Sequence, residues 1–531
     1  MPRHEPTPPT VAVIGAGTMG AGIAQVAAIA GHEVLVHDVD PEAADRAIVA
    51  IGTALDRLER KGRMDGADRA AAIGRLRVAA SLAEVAPAGL VIEVVIERLD
   101  VKRALFAGLE AVVAADAVLA SNTSSLSITQ IAAGLRHPGR VVGMHFFNPA
   151  PVLPLVEVVA GAATDPDVVD QVVALAEAWG KTPVRTTSTP GFIVNRVARP
   201  FYGEAFRAYE EGVADPATID ALLREAGGFR MGPFELTDLI GQDINAAVSR
   251  SVWEAFDQDP RFAPSQAQAE LVAAGRLGRK SGQGWFSYGE GAAVPAPSTS
   301  PAVDPPAAIV IHGDIGPLDA VLRRRSAAVA VIPRGPGVRG SWDTSHTHPT
   351  GRWEDDDDLV GRPPASGWVE LPSGAELHLT RGTTAAKLAI RRHCPVVVAD
   401  LVGDPTTASR IAIAAGAGTP QSVLDEAVGL LQACGLAVTV VADAPGLVVA
   451  RTLAMLVNVA ADAVDSGVAT ATDVDLAMRA GVNYPRGPLQ WGAAIGPAYL
   501  LQLLSGLREH DREHYRISPW LSAREGSEDL R

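Results

Sequence analysis

Apolar positions in the first 190 residues recur with two alternating periods: short β-branched runs, and longer Ala-rich stretches with helical spacing. The runs predict strands at about 10–15, 33–38, 90–95, 117–121, 140–146 and 182–186; the stretches between them predict helices at about 18–30, 41–60, 99–114 and 166–179. Such alternation predicts a doubly wound parallel sheet in an α/β fold. From Pro190 the strand pattern stops and helical spacing continues to about Leu277, with Asp215-Pro216 opening one helix. Ala292 to Pro306 is rich in Ala, Pro and Ser and reads as a linker, and about 330 to 380 carries little pattern of any kind. Val11 to Gly31 has no charged residue and is long enough to span a bilayer. Its glycines, Gln25 and the apolar run that follows fit a buried βαβ unit instead.

An internal repeat organises the rest. Pro190-Gly191-Phe192-Ile193-Val194-Asn195-Arg196 returns 255 residues later as Pro445-Gly446-Leu447-Val448-Val449-Ala450-Arg451. At the same spacing Gly161 falls on Gly416, Gly180 on Gly435, Gly212 on Gly467, Asp220 on Asp475, Gly232-Pro233 on Gly487-Pro488 and Gly241 on Gly496. Glycines and prolines fix turns and helix ends, so the match predicts a diverged second copy. The expected domains are a Rossmann-like sheet over 1–189, a helical domain over 190–290, a linker over 291–306, a degenerate Rossmann-like segment over 307–444 and a second helical domain over 445–531.

Composition adds three exclusions. A chain of 531 residues exceeds one ordinary core and predicts two to four domains. A net charge of −15 argues against nucleic acid as a partner. Two cysteines, Cys394 and Cys434, and an N-terminus without an apolar signal core predict a cytoplasmic protein without disulfides. Asp343, His346, His348 and the run Glu354 to Asp358 lack ligand spacing and read as a solvated loop rather than a metal site.

Candidate chemistry begins with Gly15-Ala16-Gly17-Thr18-Met19-Gly20, which directly follows the strand Val11–Ile14 and opens a helix. That context is the dinucleotide fingerprint: glycines for a tight turn, and a helix N-terminus for the pyrophosphate. Asp38 ends the second strand, where a carboxylate accepts from the adenosine ribose and repels a 2′-phosphate, so NAD is expected over NADP. His145 ends a predicted strand in Gly143-Met144-His145-Phe146-Phe147-Asn148-Pro149, and Glu157 lies 12 residues on. A histidine oriented by a carboxylate suits removal of a hydroxyl proton. Spacing alone reads equally well as a core histidine and an unrelated glutamate. Arg57, Arg60 and Lys61, with Arg63, form a basic cluster interleaved with Asp56 and Glu59; it reads as a solvated helix face or as a seat for coenzyme A phosphates.

The fingerprint, Asp38, Ser121-Asn122-Thr123-Ser124-Ser125, His145-Phe146-Phe147-Asn148-Pro149, Glu157, Pro190 to Arg196 and Met231-Gly232-Pro233-Phe234-Glu235 together resemble the (S)-3-hydroxyacyl-CoA dehydrogenase family over about 10 to 290. The resemblance implies NAD-dependent oxidation of a 3-hydroxyacyl-CoA in fatty-acid or phenylacetate-type catabolism. It implies His145 as base with Glu157 beside it, Ser124 and Asn195 on substrate and cofactor, and Glu97, Lys102, Asn122 and Asn148 around the cofactor. It also implies that the two helical domains pair within one chain as the subunits of a dimer do, with a further homodimer open. A dehydrogenase of a free hydroxy acid or sugar acid, as in the related gulonate branch, and a non-catalytic binding relative are the other readings. The second copy places Asp400 at His145, Ala412 at Glu157, Ala450 at Asn195 and Leu379 at Ser124, and Gly313-Asp314-Ile315-Gly316 falls short of the fingerprint, so one catalytic site per chain is expected.

Overall fold

A computed structural model describes residues 9–293, 295–333 and 367–524. The first sheet has eight strands: β1 (Val11–Ile14), β2 (Val34–His37), β3 (Leu76–Val78), β4 (Leu90–Glu93), β5 (Val118–Ser121), β6 (Val141–Phe146), β7 (Leu155–Ala160) and β8 (Thr182–Thr187). Their order is β3-β2-β1-β4-β5-β6-β7-β8. Neighbours run parallel except β6 and β7, which are antiparallel with His145 directly opposite Glu157. The doubly wound parallel sheet is thus extended by β7 and β8, which run opposite to the other six strands; β7, like the short β3, was not among the predicted strands. Helices α1 (Thr18–Ile29), α2 (Pro41–Arg60), α3 (Gly66–Gly74), α4 (Leu99–Val112), α5 (Ile128–Ala132) and α6 (Pro166–Ala178) cover the sheet. Asp40 caps α2 by accepting from the Glu42 amide, Pro41 occupies its first turn, and Ala44, Ala47, Ile51 and Leu55 form its buried stripe. One core, around Ile23, Val36 and Ile92, and another, around Phe106, Leu119 and Ile131, fill the two faces.

Helices α7 (Val194–Val197), α8 (Arg199–Glu210), α9 (Pro216–Glu225), α10 (Pro233–Ile240), α11 (Gln242–Ala255) and α12 (Gln266–Ala273) follow. Residues 295–306 contain no helix or strand, but they are held in place: the Ser298 amide donates to Thr218 and the Val303 amide to Gln432. The second sheet comprises β9 (Ala308–His312), β10 (Ala330–Pro333), β11 (Trp368–Glu370), β12 (Glu376–Leu379), β13 (Val396–Ala399), β14 (Arg410–Ala415) and β15 (Ala437–Val440). With it come α13 (Leu318–Leu322), α14 (Ala385–Arg392) and α15 (Gln421–Ala433). Strands thus occur inside 330–380, where the sequence showed little pattern. The order β10-β9-β11-β12-β13-β14-β15 repeats that of the first sheet without β3, and β11 is reversed, antiparallel to both neighbours. The acidic and histidine-bearing run 343–358 lies outside the described residues; among the described residues no group of three metal-ligating side chains occurs.

The last helices are α16 (Val449–Asp465), α17 (Ala471–Val482), α18 (Pro488–Ile495), α19 (Pro497–His510) and α20 (Pro519–Ser522). The two helical copies match in detail. Asp220 accepts from the amides of Phe234 and Glu235, and Asp475 from those of Leu489 and Gln490. Phe192 and Leu447 share an unusual positive φ, 46° and 49°. One difference has a plain cause: α16 is continuous, whereas its counterpart breaks into α7 and α8, because Pro200 stands where α16 has Met455 and has no amide to donate. Helices α8 and α16 pack together, and the buried Arg451 reaches Glu211 at 2.7 Å and Glu204 at 3.6 Å. Burial alone would raise the Glu204 carboxyl, but His514 and Arg451 hold it below the usual range. No described helix is long and apolar enough to cross a membrane.

Candidate active site

Glycines shape the turn after β1. Gly15 has φ 110°, and a Cβ there would lie 2.5 Å from the Val94 carbonyl oxygen; a Cβ on Gly20 would lie 1.8 Å from the Gly15 oxygen. Gly17 is exposed, with open space where a side chain would project. Helix α1, starting at Thr18 and Met19, has no side-chain cap and no acid in its first turn, so its amides face outward. These features fit a dinucleotide pyrophosphate. Asp38 lies beside the turn: its carboxylate accepts from the Ala16 amide at 2.7 Å and the Asp40 amide at 3.0 Å.

Opposed across β6 and β7, His145 and Glu157 meet with Nδ1 2.6 Å from Oε2. Glu157 is fully buried, and its other oxygen accepts from the Ile193 and Val194 amides, each at 3.0 Å. Nδ1 on Oε2 and two backbone amides on Oε1 engage both oxygens of Glu157 as acceptors. Nδ1 thereby carries the proton, and Nε2 is left as the acceptor. The imidazole is packed beside Phe147 and Phe192, at 4.5 and 5.8 Å between ring centres.

The loop after β5 is held from beneath. Glu97 accepts from the Thr123 hydroxyl at 2.5 Å, the Ser124 amide at 3.0 Å and the Ser125 hydroxyl at 3.0 Å, and Lys102 lies 3.2 Å away. Burial raises the Glu97 carboxyl, but Lys102 and these donors outweigh it and leave it below the ordinary value. Lys102 is itself buried and bridges to Glu93 at 2.6 Å. Glu93, which the sequence reading did not single out, is fully buried and also takes the Ser121 hydroxyl; an acid ending an apolar strand was its only signal. Asn195 donates to the Ser124 carbonyl at 3.4 Å, and Asn122 accepts from the Phe146 amide at 2.8 Å. Ser124, Asn122, His145, Glu157 and Asn195 thus come together, while Asn148 is exposed in the loop after β6. Arg57, Arg60 and Lys61 are exposed at the far end of α2, about 25–32 Å along the helix from Asp40, outside this hydrogen-bond network.

In the second copy Asp400 stands at His145 and accepts from the Val448, Val449 and Ala450 amides at 2.8–3.0 Å. It does alone what Glu157 does for Ile193 and Val194, and burial pushes its carboxyl up to about 6. The expected match of Ser124 with Leu379 is corrected by strand register. Ser121 pairs with Gly143 and His378 with Val398, so Leu379 takes the place of Asn122 and Arg381 that of Ser124. No histidine, serine or asparagine of the first site survives there. Calorimetric titration is expected to give one NAD(H) per chain; two equivalent sites would show that the second sheet kept a cofactor cleft.

Three family models match: the NAD-binding domain of 3-hydroxyacyl-CoA dehydrogenase over 10–189, its C-terminal domain over 191–288 and again over 446–525, and a reduced Rossmann-fold domain of 3-hydroxybutyryl-CoA dehydrogenase over 377–445. A 3-hydroxyadipyl-CoA dehydrogenase of Escherichia coli is 46% identical over 508 residues, covering 96% of this chain and 95% of that one. A crystal structure of a 3-hydroxybutyryl-CoA dehydrogenase from Escherichia coli superposes with a TM-score of 0.84 at 44% identity, covering 97% and 98%. A probable 3-hydroxybutyryl-CoA dehydrogenase of Deinococcus radiodurans, 40% identical, covers 52% of this chain and 99% of its own. With its fingerprint, its sheet and near-complete coverage of the long relatives in agreement, the chain belongs to the 3-hydroxyacyl-CoA dehydrogenase family of NAD-dependent oxidoreductases.

Proposed function

We propose that the chain oxidises the hydroxyl of (S)-3-hydroxyacyl-CoA thioesters to the 3-oxoacyl form, with His145 as general base and Glu157 as the group that orients and stabilises it. The observation that carries this reading is the 2.6 Å contact between two buried side chains at the carboxyl edge of the sheet. NAD, when bound, supplies the acceptor for the hydride leaving C3. Gly15, Gly17, Thr18, Met19 and Gly20 hold its pyrophosphate, and Asp38 its ribose. His145 Nε2 takes the hydroxyl proton, and the fixed negative charge of Glu157 favours the resulting imidazolium. Ser124 and Asn195, joined through the Ser124 carbonyl, hold the reacting oxygen. Glu97 and Lys102 keep the Ser124 loop in place, and Asn122 and Asn148 border the same cleft. Arg57, Arg60 and Lys61 offer the phosphates of coenzyme A an exposed cationic surface.

The name of the long Escherichia coli relative makes a 3-hydroxyadipyl thioester the leading substrate. In this reading the domains follow the boundaries given above, and α8 against α16 does within one chain what a twofold contact does between two. Both cysteines are free thiols, consistent with a cytoplasmic location. The test is the reverse reaction: acetoacetyl-CoA with NADH should turn over, while free acetoacetate, or NADPH in place of NADH, should lose roughly 10²-fold or more in kcat/KM. Comparable rates on free acetoacetate would favour the hydroxy-acid branch, and equal use of NADPH would take Asp38 off the ribose.

A further inference from the structure

A cavity of about 350 Å³ lies within the helical region, lined by α8, α11, the segment 260–268 and His514 of the second copy. Three arginines border it. Arg261 is ion-paired to Asp259 and Asp462, and Arg207 to Glu211 and Asp511. Arg199 is buried, only 8% exposed, and forms no ion pair with a carboxylate among the described residues. Its one hydrogen bond is to the Ser249 hydroxyl at 3.1 Å; its Nε has no partner, and its guanidinium lies 4.9 Å from the centre of the Tyr202 ring. The nearby acids are engaged elsewhere, Glu211 by Arg451 and Glu210 by Ser265 and the Ala267 amide. A second unused donor is close by: the Tyr484 hydroxyl is buried without a partner, and Tyr484 interacts electrostatically with Arg199. Removing a cation from water without a counter-charge is costly, so a buried, unpaired arginine facing a cavity is matched to an anion that arrives from outside.

The position of Arg199 indicates which anion. It follows Asn195 by four residues across the α7–α8 junction, where Ala198 keeps right-handed dihedrals of φ −77° and ψ −11°, so the two side chains leave the chain on the same side; in a regular helix that spacing is about 5–6 Å at Cβ. In a 3-hydroxyadipyl chain the distal carboxylate lies three bonds beyond the reacting carbon, a reach on the order of one helical turn. We propose that Arg199, with Ser249 beside it, receives the distal carboxylate of the acyl chain and makes this enzyme selective for dicarboxylic 3-hydroxyacyl thioesters. The planar fork of arginine matches a carboxylate with two parallel hydrogen bonds, which a lysine cannot reproduce. The proposal rests on the reading of the site as a 3-hydroxyacyl-CoA dehydrogenase.

The experiment compares kcat/KM for 3-hydroxyadipyl-CoA and 3-hydroxyhexanoyl-CoA, equal in chain length and different in the terminal charge, in the full-length enzyme, Arg199→Met and Arg199→Lys. The native enzyme should prefer the adipyl thioester. Arg199→Met should lose about 10–100-fold on it, the range for a charged hydrogen-bonded contact, and change less than about threefold on the hexanoyl thioester. Arg199→Lys should fall between them. Arg199→Met is expected to fold, because it deletes an unpaired buried charge. If it does not, a several-fold drop in the preference ratio of Arg199→Lys decides in favour and an unchanged ratio against. Equal losses on both thioesters, or a native enzyme that turns over both alike, overturns the proposal while leaving the reaction assigned. A native enzyme that turns over neither contradicts the underlying reading.

Discussion

His145→Ala should lower kcat by roughly 10²–10⁴-fold with NADH affinity largely unchanged. The imidazole bonds to Glu157 and packs beside Phe147 and Phe192, none of which belongs to the glycine turn or adjoins Asp38 in the sequence. Removing it takes away the acceptor for the hydroxyl proton and leaves the pyrophosphate and ribose positions as they were. The measurement pairs steady-state turnover of acetoacetyl-CoA with fluorescence titration of NADH. A loss confined to KM, or a matching loss of NADH binding, would assign the residue to ligand positioning rather than proton transfer.

Glu157→Gln should be nearly as damaging, for a reason peculiar to its two oxygens. One faces Nδ1 of His145, and the other takes two amides at the start of α7. A glutamine has one acceptor oxygen and one NH2. Turned one way it sets donor against donor at the Ile193 and Val194 amides; turned the other way it forces His145 to reverse its tautomer and lose the Nε2 acceptor. Turnover is expected to fall roughly 10²–10³-fold, because no charge remains to stabilise the imidazolium. The mismatched buried group should also cost about 1–3 kcal/mol of stability, read by denaturant unfolding. Native-like turnover would show that the base is orientated by something else.

The glycine fingerprint, Asp38, and six of the eight strands and four of the six helices of the first domain were legible because each is a local pattern, whereas the short β3, α3 and α5 and the strand β7 were not. The repeat was legible for the same reason, and the structure gives it content in the shared positive φ of Phe192 and Leu447 and the shared amide contacts of Asp220 and Asp475. What the sequence left open was pairing at a distance. Nothing in Leu155 to Ala160 states that this strand runs antiparallel to β6, yet that register is what sets Glu157 opposite His145. Two residues fewer between β12 and β13 than between β5 and β6 shift the comparison from Leu379 to Arg381, a slip invisible at constant spacing. Glu93 and Arg199 escaped notice because an acid or an arginine in a line of sequence carries no mark of being buried, or of lacking a partner.

The central claim is that His145 and Glu157 act as one unit, and a double-mutant cycle tests it most directly. Two residues serving a single proton transfer give grossly non-additive losses. Single-turnover reduction of acetoacetyl-CoA by NADH should therefore be no slower in the His145→Ala/Glu157→Gln double variant than in His145→Ala alone. A double variant slowed by the product of the two separate losses would show that the two groups act independently, and would contradict the account.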